Sequence, residues 1–184
     1  MAVMLGTTLR GVTVVETKTL QDERGEVSRI FCDEELRGSL AGKTINQINL
    51  SKTVKVGSIR GLHYQKQPCA EIKIVRCLKG KVFDVAVDLR HDSPSFLHWF
   101  GIELSAKNNR ALVIPEGCAH GFQVLEPNSE LLYLHTAPYS PSYEAAIRFD
   151  DPVINIVWPL TPTEISQRDR SHPYLKKGHE GLYV

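Results

Sequence analysis

The stretch PEGCAHGF, residues 115–122, leads from one strand-like run, Arg110 to Ile114, into a second run that begins at Gly121. Proline and glycine are typical of turns, whereas the valine and leucine residues on either side favour strands. A histidine, His120, stands where the turn passes into the second run. The stretch therefore predicts a pair of β-segments, punctuated by glycine, that carries a histidine.

Short strand-like runs of the same kind extend in both directions along the chain. We assign them to residues 7–15, 26–31, 43–52, 58–64, 71–78, 81–89, 98–104, 110–114, 121–125, 131–136 and 146–149. Turn residues such as Lys79-Gly80 and Lys107-Asn108-Asn109 separate them. Many short strands at regular spacing, with almost no helical periodicity, predict an antiparallel sandwich or barrel rather than an α/β sheet. The expected fold class is therefore all-β.

Two short helices are expected beside the strands. The segment 33–37, DEELR, predicts a helical turn that ends at Gly38. The segment 161–164, TPTE, combines an N-cap hydroxyl with proline at the first helical position and glutamate at the third. This capping-box pattern predicts a helix that starts at Thr161 and runs toward Asp169.

Length and composition limit the class of protein. A chain of 184 residues with 42% hydrophobic residues suits one domain, which we place at residues 1–184 with a polar tail at 175–184. Lys and Arg number 22 against 21 Asp and Glu, so no overall field favours nucleic acid or an anionic membrane as a partner. We find neither a secretory leader pattern nor an apolar run of about 20 residues, and we expect a cytoplasmic location.

A second histidine, His63, lies in the stretch RGLHYQ, residues 60–65, ten residues before Lys73. Histidine suits a general base, because its ordinary pKa is near physiological pH and a buried carboxylate can fix its tautomer. A histidine that faces solvent or is satisfied in the core is the alternative. Lys73 shares a strand face with Val75 and Cys77, and that face could be either a solvated outer face or the inside of a barrel. Periodicity alone does not decide between them.

Two arginines are candidates for binding an anion. Arg60 and His63 are three residues apart, so an ideal strand would direct them to opposite faces. Gly61 between them is a suitable place for a β-bulge that would bring both into one cavity. Arg24 precedes a glycine in a turn, where it is either a loose surface cation or, together with Arg60, a bidentate clamp for a diphosphate.

Several other residues have both a structural and a chemical interpretation. Tyr133 and Tyr139 bracket a predicted strand, where a tyrosine either packs half-buried or delivers a proton into a cavity. Asp84 is a possible carboxylate partner for a histidine, but we expect it to bond the backbone in the barrel wall. Cys118 lies two residues from His120, yet the four cysteines show no C-x-x-C pairing and we assign them no catalytic role.

Glycine-flanked histidines on a β-barrel are typical of cupin metal sites, which need three or four converging ligands. The spacing Pro115-x-Gly117-x-x-His120 matches the second cupin motif. Gln65, however, stands where the first motif usually has its second histidine, and Glu71 lies rather far along. We therefore expect a cupin-like jelly-roll barrel without a catalytic metal.

Many short segments match one protein family in the same order. They are DERG (22–25), SIRGLHYQ (58–65), KIVR (73–76), FDVAVDLR (83–90), SPS (93–95), IPEG (114–117), AHGF (119–122), DDP (150–152), WP (158–159) and SQRD (166–169). With them the chain resembles, along nearly its whole length, the dTDP-4-dehydrorhamnose 3,5-epimerase family of cupin-fold sugar-nucleotide epimerases.

The resemblance implies a role for each matching residue. His63 looks like the family's base and Asp169 like its carboxylate partner. Lys73 resembles the residue that stabilises an enolate, and Tyr133 the acid that reprotonates the sugar ring. The implied lining of the sugar and diphosphate pocket is Arg24, Gln47, Asn49, Arg60, His120, Tyr139, Glu144 and Arg168.

The resemblance also implies a reaction and a partner. The substrate would be a nucleotide-diphosphate 4-keto-6-deoxyhexose, with dTDP-4-dehydro-6-deoxyglucose as the best guess, inverted at C3, C5 or both without a cofactor. The family commonly forms homodimers by exchanging N-terminal strands. Residues 1–31 would then belong partly to a partner's sheet, and Arg24 would serve the neighbouring pocket.

The sequence leaves several alternatives open. After Arg24-Gly25 this chain has EVSR, residues 26–29, where well-characterised members have aromatic residues and then an acidic one. An arginine in place of an acidic residue is compatible with a base other than thymine or with a different sugar. A C3-only or C5-only epimerase, a ketoisomerase, and a barrel that binds a sugar nucleotide without converting it also stay open. A metal-dependent oxygenase would need ligands that Gln65 does not provide.

Overall fold

The computed structural model describes residues 2–176 and 178–184, which form thirteen β-strands and two short helices. The strands are β1 (Ala2–Gly6), β2 (Thr13–Thr17), β3 (Thr19–Asp22), β4 (Gly25–Ser28), β5 (Gln47–Thr53), β6 (Ile59–Gln65), β7 (Lys73–Lys79), β8 (Lys81–Asp88), β9 (Trp99–Ser105), β10 (Arg110–Ile114), β11 (Cys118–Val124), β12 (Ser129–His135) and β13 (Glu144–Ala146). The helices are α1 (Asp33–Leu40) and α2 (Gln167–Ser171). The expected all-β class is confirmed.

Two antiparallel sheets enclose the main core. Six strands, in the order β1-β2-β10-β7-β12-β5, form one sheet, and five, in the order β13-β6-β11-β8-β9, form the other. Val75 and Leu112 of the first sheet pack with Ala86 and Phe122 of the second in one buried cluster. Strands β3 and β4 pair only with each other among the described residues. The two facing sheets make the expected jelly-roll barrel.

Alternation along the strands of the six-stranded sheet separates its two apolar faces. Val75 and Leu131 face the barrel interior, whereas Ile74 and Leu134 belong to a second cluster on the outer face. Helix α1 covers that outer face with its buried leucines. Lys73 shares the inner face with Val75, so its ammonium group points into the barrel and not to solvent.

The prediction of a single strand over residues 7–15 is wrong. β1 ends at Gly6 and β2 begins at Thr13. Between them the Thr7 hydroxyl donates to the carbonyl of Val12 at 2.9 Å and accepts from the N–H of Leu9 at 3.1 Å. These side-chain bonds close a turn in place of a strand ladder, and the alternating Thr and Val pattern did not reveal it.

The predicted end of α1 at Gly38 is also wrong. The helix continues to Leu40, because Leu36 and Leu40 are both buried against the outer face of the sheet. It ends where Ala41 takes a left-handed conformation with φ 50°. Burial of the second leucine outweighs the low helix propensity of glycine.

The predicted start of the second helix, with Thr161 as the N-cap, is wrong by five residues. α2 begins at Gln167, and its N-cap is Ser166, whose side chain accepts from the N–H of Asp169 at 3.0 Å. The preceding residues instead form an extended segment, in which the N–H of Thr163 donates to the carbonyl of Gly57 at 3.1 Å. The same segment accepts from the N–H of Ile59 at 2.9 Å through the carbonyl of Glu164. We call residues 160–171 the strap.

The described residues of the tail at 175–184 include two apolar anchors, although the tail is polar in composition. Leu175 and Leu182 pack against a buried cluster of the five-stranded sheet, and Leu182 forms a parallel bridge with Arg90. Within the described residues, no helix has the length and apolarity needed to cross a membrane.

Candidate active site

A cavity of about 830 Å³ lies between the two sheets, a size typical of small-molecule sites. Strands of both sheets and the strap line it. Of the twelve residues implicated by sequence, ten line this cavity, namely His63, Lys73, Tyr133, Asp169, Asn49, Arg60, His120, Tyr139, Glu144 and Arg168. The barrel thus gathers at one place residues that lie up to 120 positions apart in the chain, from Asn49 to Asp169.

His63 and Asp169 form a hydrogen-bonded pair at the cavity. His63 Nε2 is 2.8 Å from Asp169 Oδ1, and the second carboxylate oxygen lies 3.4 Å from the N–H of Gly61. Burial acts to raise the pKa of Asp169, but the hydrogen bond and charge of His63 and the N–H of Gly61 hold that pKa below its usual value. The carboxylate is therefore ionised at neutral pH, and it orients the ring with Nε2 as the donor. Nδ1 keeps the lone pair that a base requires.

The expected bulge at Gly61 is confirmed. Strand β11 pairs His120 with His63 and then Phe122 with Arg60, so Gly61 and Leu62 lie opposite the single residue Gly121. Gly61 has φ +121°, and a Cβ there would lie 2.6 Å from the Cα of Gly121. Only glycine fits this close approach. The extra residue turns Arg60 and His63 toward the same cavity.

Lys73 and Tyr133 enter from the opposite sheet. Lys73 Nζ donates to the carbonyl of His63 at 3.3 Å and lies 3.1 Å from Glu71 Oε1. Burial raises the pKa of the Tyr133 phenol, so at neutral pH it carries a proton that it can give. The cavity thus has a basic imidazole on one wall and a protonated phenol and an ammonium group on the other.

Asp84 does not bond the backbone as expected; it bonds a histidine. His120 Nε2 lies 2.9 and 3.0 Å from the two oxygens of Asp84, which is fully buried. The His120 ring also packs edge-on against Tyr133, with centroids 5.9 Å apart. The two residues meet because β8 and β11 are neighbours, a pairing that the sequence spacing of 36 residues does not show. The hydrogen-bonded pair of His120 and Asp84 therefore supports one side of the Tyr133 ring.

Cys118 is buried in β11. Burial raises its pKa to about 12. The thiolate needed for nucleophilic attack is therefore absent at neutral pH.

A second polar cluster lies toward the strap. Tyr139 donates its phenol to Glu144 Oε2 at 2.7 Å, and Arg168 pairs with the same carboxylate. Gln47 does not line the cavity, but its side-chain oxygen accepts from the N–H of Tyr139 at 2.9 Å. Gln47 thereby supports the backbone beside the site instead of facing it.

Arg24 does not reach the cavity of its own chain. It lies in the turn of the β3–β4 hairpin, where its guanidinium pairs with Asp22 at 2.6 Å and is 86% exposed. The expectation that it lines the pocket is therefore not met within one subunit. Arg60, by contrast, faces the cavity and donates from Nε to Thr53 Oγ1 at 2.9 Å.

One polar pair in the cavity wall, His135 with Glu71, was not predicted from the sequence. His135 Nδ1 is 2.8 Å from Glu71 Oε2, and both residues line the cavity. Strand alternation offered a signal, because His135 is two residues from Tyr133 and shares its face. Among the described residues, no group of three or more His, Cys, Asp or Glu side chains has a metal-binding arrangement.

Comparison with known proteins gives a consistent result. The model of the family described as dTDP-4-dehydrorhamnose 3,5-epimerase matches residues 6–177. A dTDP-4-dehydrorhamnose 3,5-epimerase from Salmonella typhimurium is 42% identical over 177 residues, which are 95% of this chain and 96% of that protein.

Solved structures with the same fold include epimerases of two specificities. The dTDP-6-deoxy-D-glucose-3,5-epimerase of Legionella pneumophila, solved with dTDP-4-keto-L-rhamnose, has a TM-score of 0.92 and 34% identity, and all of both chains is covered. A 3'-monoepimerase from Streptomyces bikiniensis, solved with dTDP-quinovose, has a TM-score of 0.86 and 30% identity, covering 93% of this chain and 87% of that one.

Proposed function

Because the chain belongs to the dTDP-4-dehydrorhamnose 3,5-epimerase family, we propose that it converts dTDP-4-dehydro-6-deoxyglucose to dTDP-4-dehydrorhamnose by proton transfer in this cavity. The chain is a sugar-nucleotide epimerase, as the sequence predicted. Four side chains each carry one part of the proposed mechanism.

His63 is the base. The C4 keto group acidifies the protons on C3 and C5, so an imidazole can remove them if its lone pair is directed at the sugar ring. Asp169 holds Nε2–H at 2.8 Å and leaves Nδ1 as the accepting atom. When Nδ1 takes the proton, the ionised Asp169 carboxylate stabilises the imidazolium that forms.

Lys73 stabilises the enolate. Removal of a proton beside the keto group places negative charge on the C4 oxygen, and a fixed ammonium in a site with little water lowers the energy of that charge. Lys73 is buried and held by its bond to the carbonyl of His63, so its ammonium group is already in place before the charge develops.

Tyr133 is the acid. Inversion requires the new proton to reach the carbon from the face opposite to the base, so donor and base must stand on opposite walls. His63 belongs to β6 of the five-stranded sheet and Tyr133 to β12 of the six-stranded sheet. This placement of an imidazole and a protonated phenol on facing sheets is the observation that carries the proposal.

Incubation with dTDP-4-dehydro-6-deoxyglucose in D2O tests the function. We expect deuterium to enter at C3 and C5 and the rhamno product to form. Nuclear magnetic resonance measures both. Deuterium at C3 alone would assign the narrower activity that the Streptomyces relative's name describes. Parallel reactions with other nucleoside diphosphate forms test the base preference. Absence of exchange with every nucleotide form would contradict the proposal.

We also propose a homodimer in which the β3–β4 hairpin packs on the outer face of a partner's β5. Leu20 and Val27 of the hairpin are 64% and 72% exposed, and Ile48 and Leu50 of β5 are 60% and 61% exposed. β5 is the edge strand of its sheet, and edges of this kind are commonly covered in native proteins. Such packing would bring the guanidinium of Arg24 toward the partner's cavity and complete its set of cations.

Light scattering tests the dimer. The unsubstituted chain is expected at twice the mass of one chain, and Val27→Glu at the mass of one, because a carboxylate would be buried unpaired in the interface. Val157→Glu is the matched control, since Val157 is 70% exposed and lies outside both surfaces. A monomeric unsubstituted chain would reject the dimer and leave the catalytic proposal standing.

A further inference from the structure

Glu71 is a charged group of the cavity wall that has no role in the proposed steps. Glu71 binds two partners: Oε2 lies 2.8 Å from His135 Nδ1, and Oε1 lies 3.1 Å from Lys73 Nζ. All three side chains are at most 11% exposed. The arrangement follows from the fold, because β12 pairs with β7 and sets His135 directly opposite Lys73.

A carboxylate in contact with Lys73 weakens the stabilisation that its ammonium group can give to the enolate. Lys73 stabilises an enolate through its positive charge, and a neighbouring negative charge reduces the field that the C4 oxygen would experience. Burial acts to raise the pKa of Glu71, but the hydrogen bond from His135 and the charge of Lys73 hold that pKa below its usual value. Glu71 is therefore ionised at neutral pH, and its charge must be accommodated.

The orientation of His135 shows how the charge is accommodated. Nδ1 faces the Glu71 carboxylate and so carries the proton of that hydrogen bond, whereas Nε2 lies 3.5 Å from the amide nitrogen of Asn49 and accepts. The ring is stacked on Tyr133, with centroids 5.9 Å apart and planes at 15°. His135 is thus a fixed donor to Oε2 of Glu71, whereas Lys73 lies next to Oε1.

Two other carboxylates near the reacting groups are also bonded by histidines. Asp169 is bonded by His63, and Asp84 is bonded through both oxygens by His120. Glu71 is thus one of three carboxylates here that a histidine bonds, and it does not depend on Lys73 alone for its hydrogen bonds.

We propose that His135 is a positioning residue of the epimerase: it donates Nδ1–H to Glu71, draws the carboxylate charge away from Lys73, and so leaves the ammonium group free to stabilise the enolate oxygen. The inference rests on the proposed function of the same cavity. Glu71 then serves to hold Lys73 in place, and His135 limits how strongly it does so. Without His135, the ion pair between Glu71 and Lys73 would tighten and the enolate would lose part of its stabilisation.

A double-mutant cycle tests this coupling. His135→Phe removes the donor, His135→Asn keeps an N–H close to the position of Nδ1, and Glu71→Gln removes the charge. With dTDP-4-dehydro-6-deoxyglucose as substrate, we expect His135→Phe to lower kcat about tenfold and to leave the Kd for dTDP within about twofold. His135→Asn should recover most of the lost rate. In the Glu71→Gln background, His135→Phe should change kcat by less than about twofold.

Three outcomes would overturn the inference: an equal loss of kcat from His135→Phe in both backgrounds, no loss from that substitution, or failure of His135→Asn to recover the rate. His98→Phe is the matched control, because His98 is exposed and lies outside the cavity lining. If His135→Phe does not fold, as judged by circular dichroism, His135→Ala takes its place in the cycle. An unsubstituted chain without epimerase activity would instead contradict the proposed function, so the two failures are distinguishable.

Discussion

Replacement of His63 by alanine is expected to slow epimerisation by at least about a hundredfold, the usual range for loss of a general base. Nδ1 of His63 is the accepting nitrogen in the proposed mechanism, and alanine leaves the neighbouring carboxylate of Asp169 without a ring to orient. Entry of deuterium at C3 and C5 should fall by the same factor, since both reactions begin with removal of the carbon-bound proton. The measurement is the initial rate of each in D2O.

The loss should be chemical and not structural. His98→Ala, at an exposed position outside the cavity, serves as the matched control and should retain full rate. The Kd for dTDP should change little in His63→Ala, because the proposed base acts on the sugar ring and not on the nucleotide. A His63→Ala chain with more than about a tenth of the original rate would exclude His63 as the base.

Replacement of Tyr133 by phenylalanine should separate exchange from inversion. The phenol is the only proton donor that the mechanism places opposite His63, so formation of the inverted product is expected to fall about a hundredfold. His63 can still remove a proton and return a deuteron to the same face, so deuterium entry should fall much less. The quantity to measure is the ratio of deuterium incorporated to product inverted, and it should rise.

A tyrosine outside the cavity provides the comparison. Tyr143 is 38% exposed and does not line the site, so Tyr143→Phe should leave both rates unchanged. If Tyr133→Phe lowered exchange and inversion in equal proportion, the phenol would be required for the first step, and its assignment as the acid that completes inversion would be wrong.

The bulge at Gly61 could be predicted from sequence, and the direction of Lys73 could not. Arg60 and His63 are three residues apart across a glycine, which is a local property of the sequence. The register between β6 and β11 confirms the bulge that this spacing predicted. Lys73 lies on a strand with buried residues on both faces, Val75 toward the barrel and Ile74 toward α1. Alternation therefore defines two faces without saying which of them is inside.

Side-chain pairs that form between neighbouring strands were the hardest features to predict from the sequence. Asp84 and His120 are 36 residues apart, and Glu71 and His135 are 64 apart. Each pair meets only because two strands are neighbours in a sheet, and sheet order depends on contacts along the whole chain. The pairing of His63 with Asp169 was expected from family resemblance alone, since 106 residues separate them.

The strap has a consequence for how activity and stability relate. Asp169 belongs to neither sheet; it reaches His63 on a segment tied to the barrel by backbone bonds from Thr163 and Ile59 and capped by Ser166. Within the strap only Asp169 is buried, whereas the two sheets contribute to three buried apolar clusters. Release of these dozen residues would remove the carboxylate that orients His63 and leave those clusters in place, so we expect turnover to be lost before the spectroscopic signal of the strands changes.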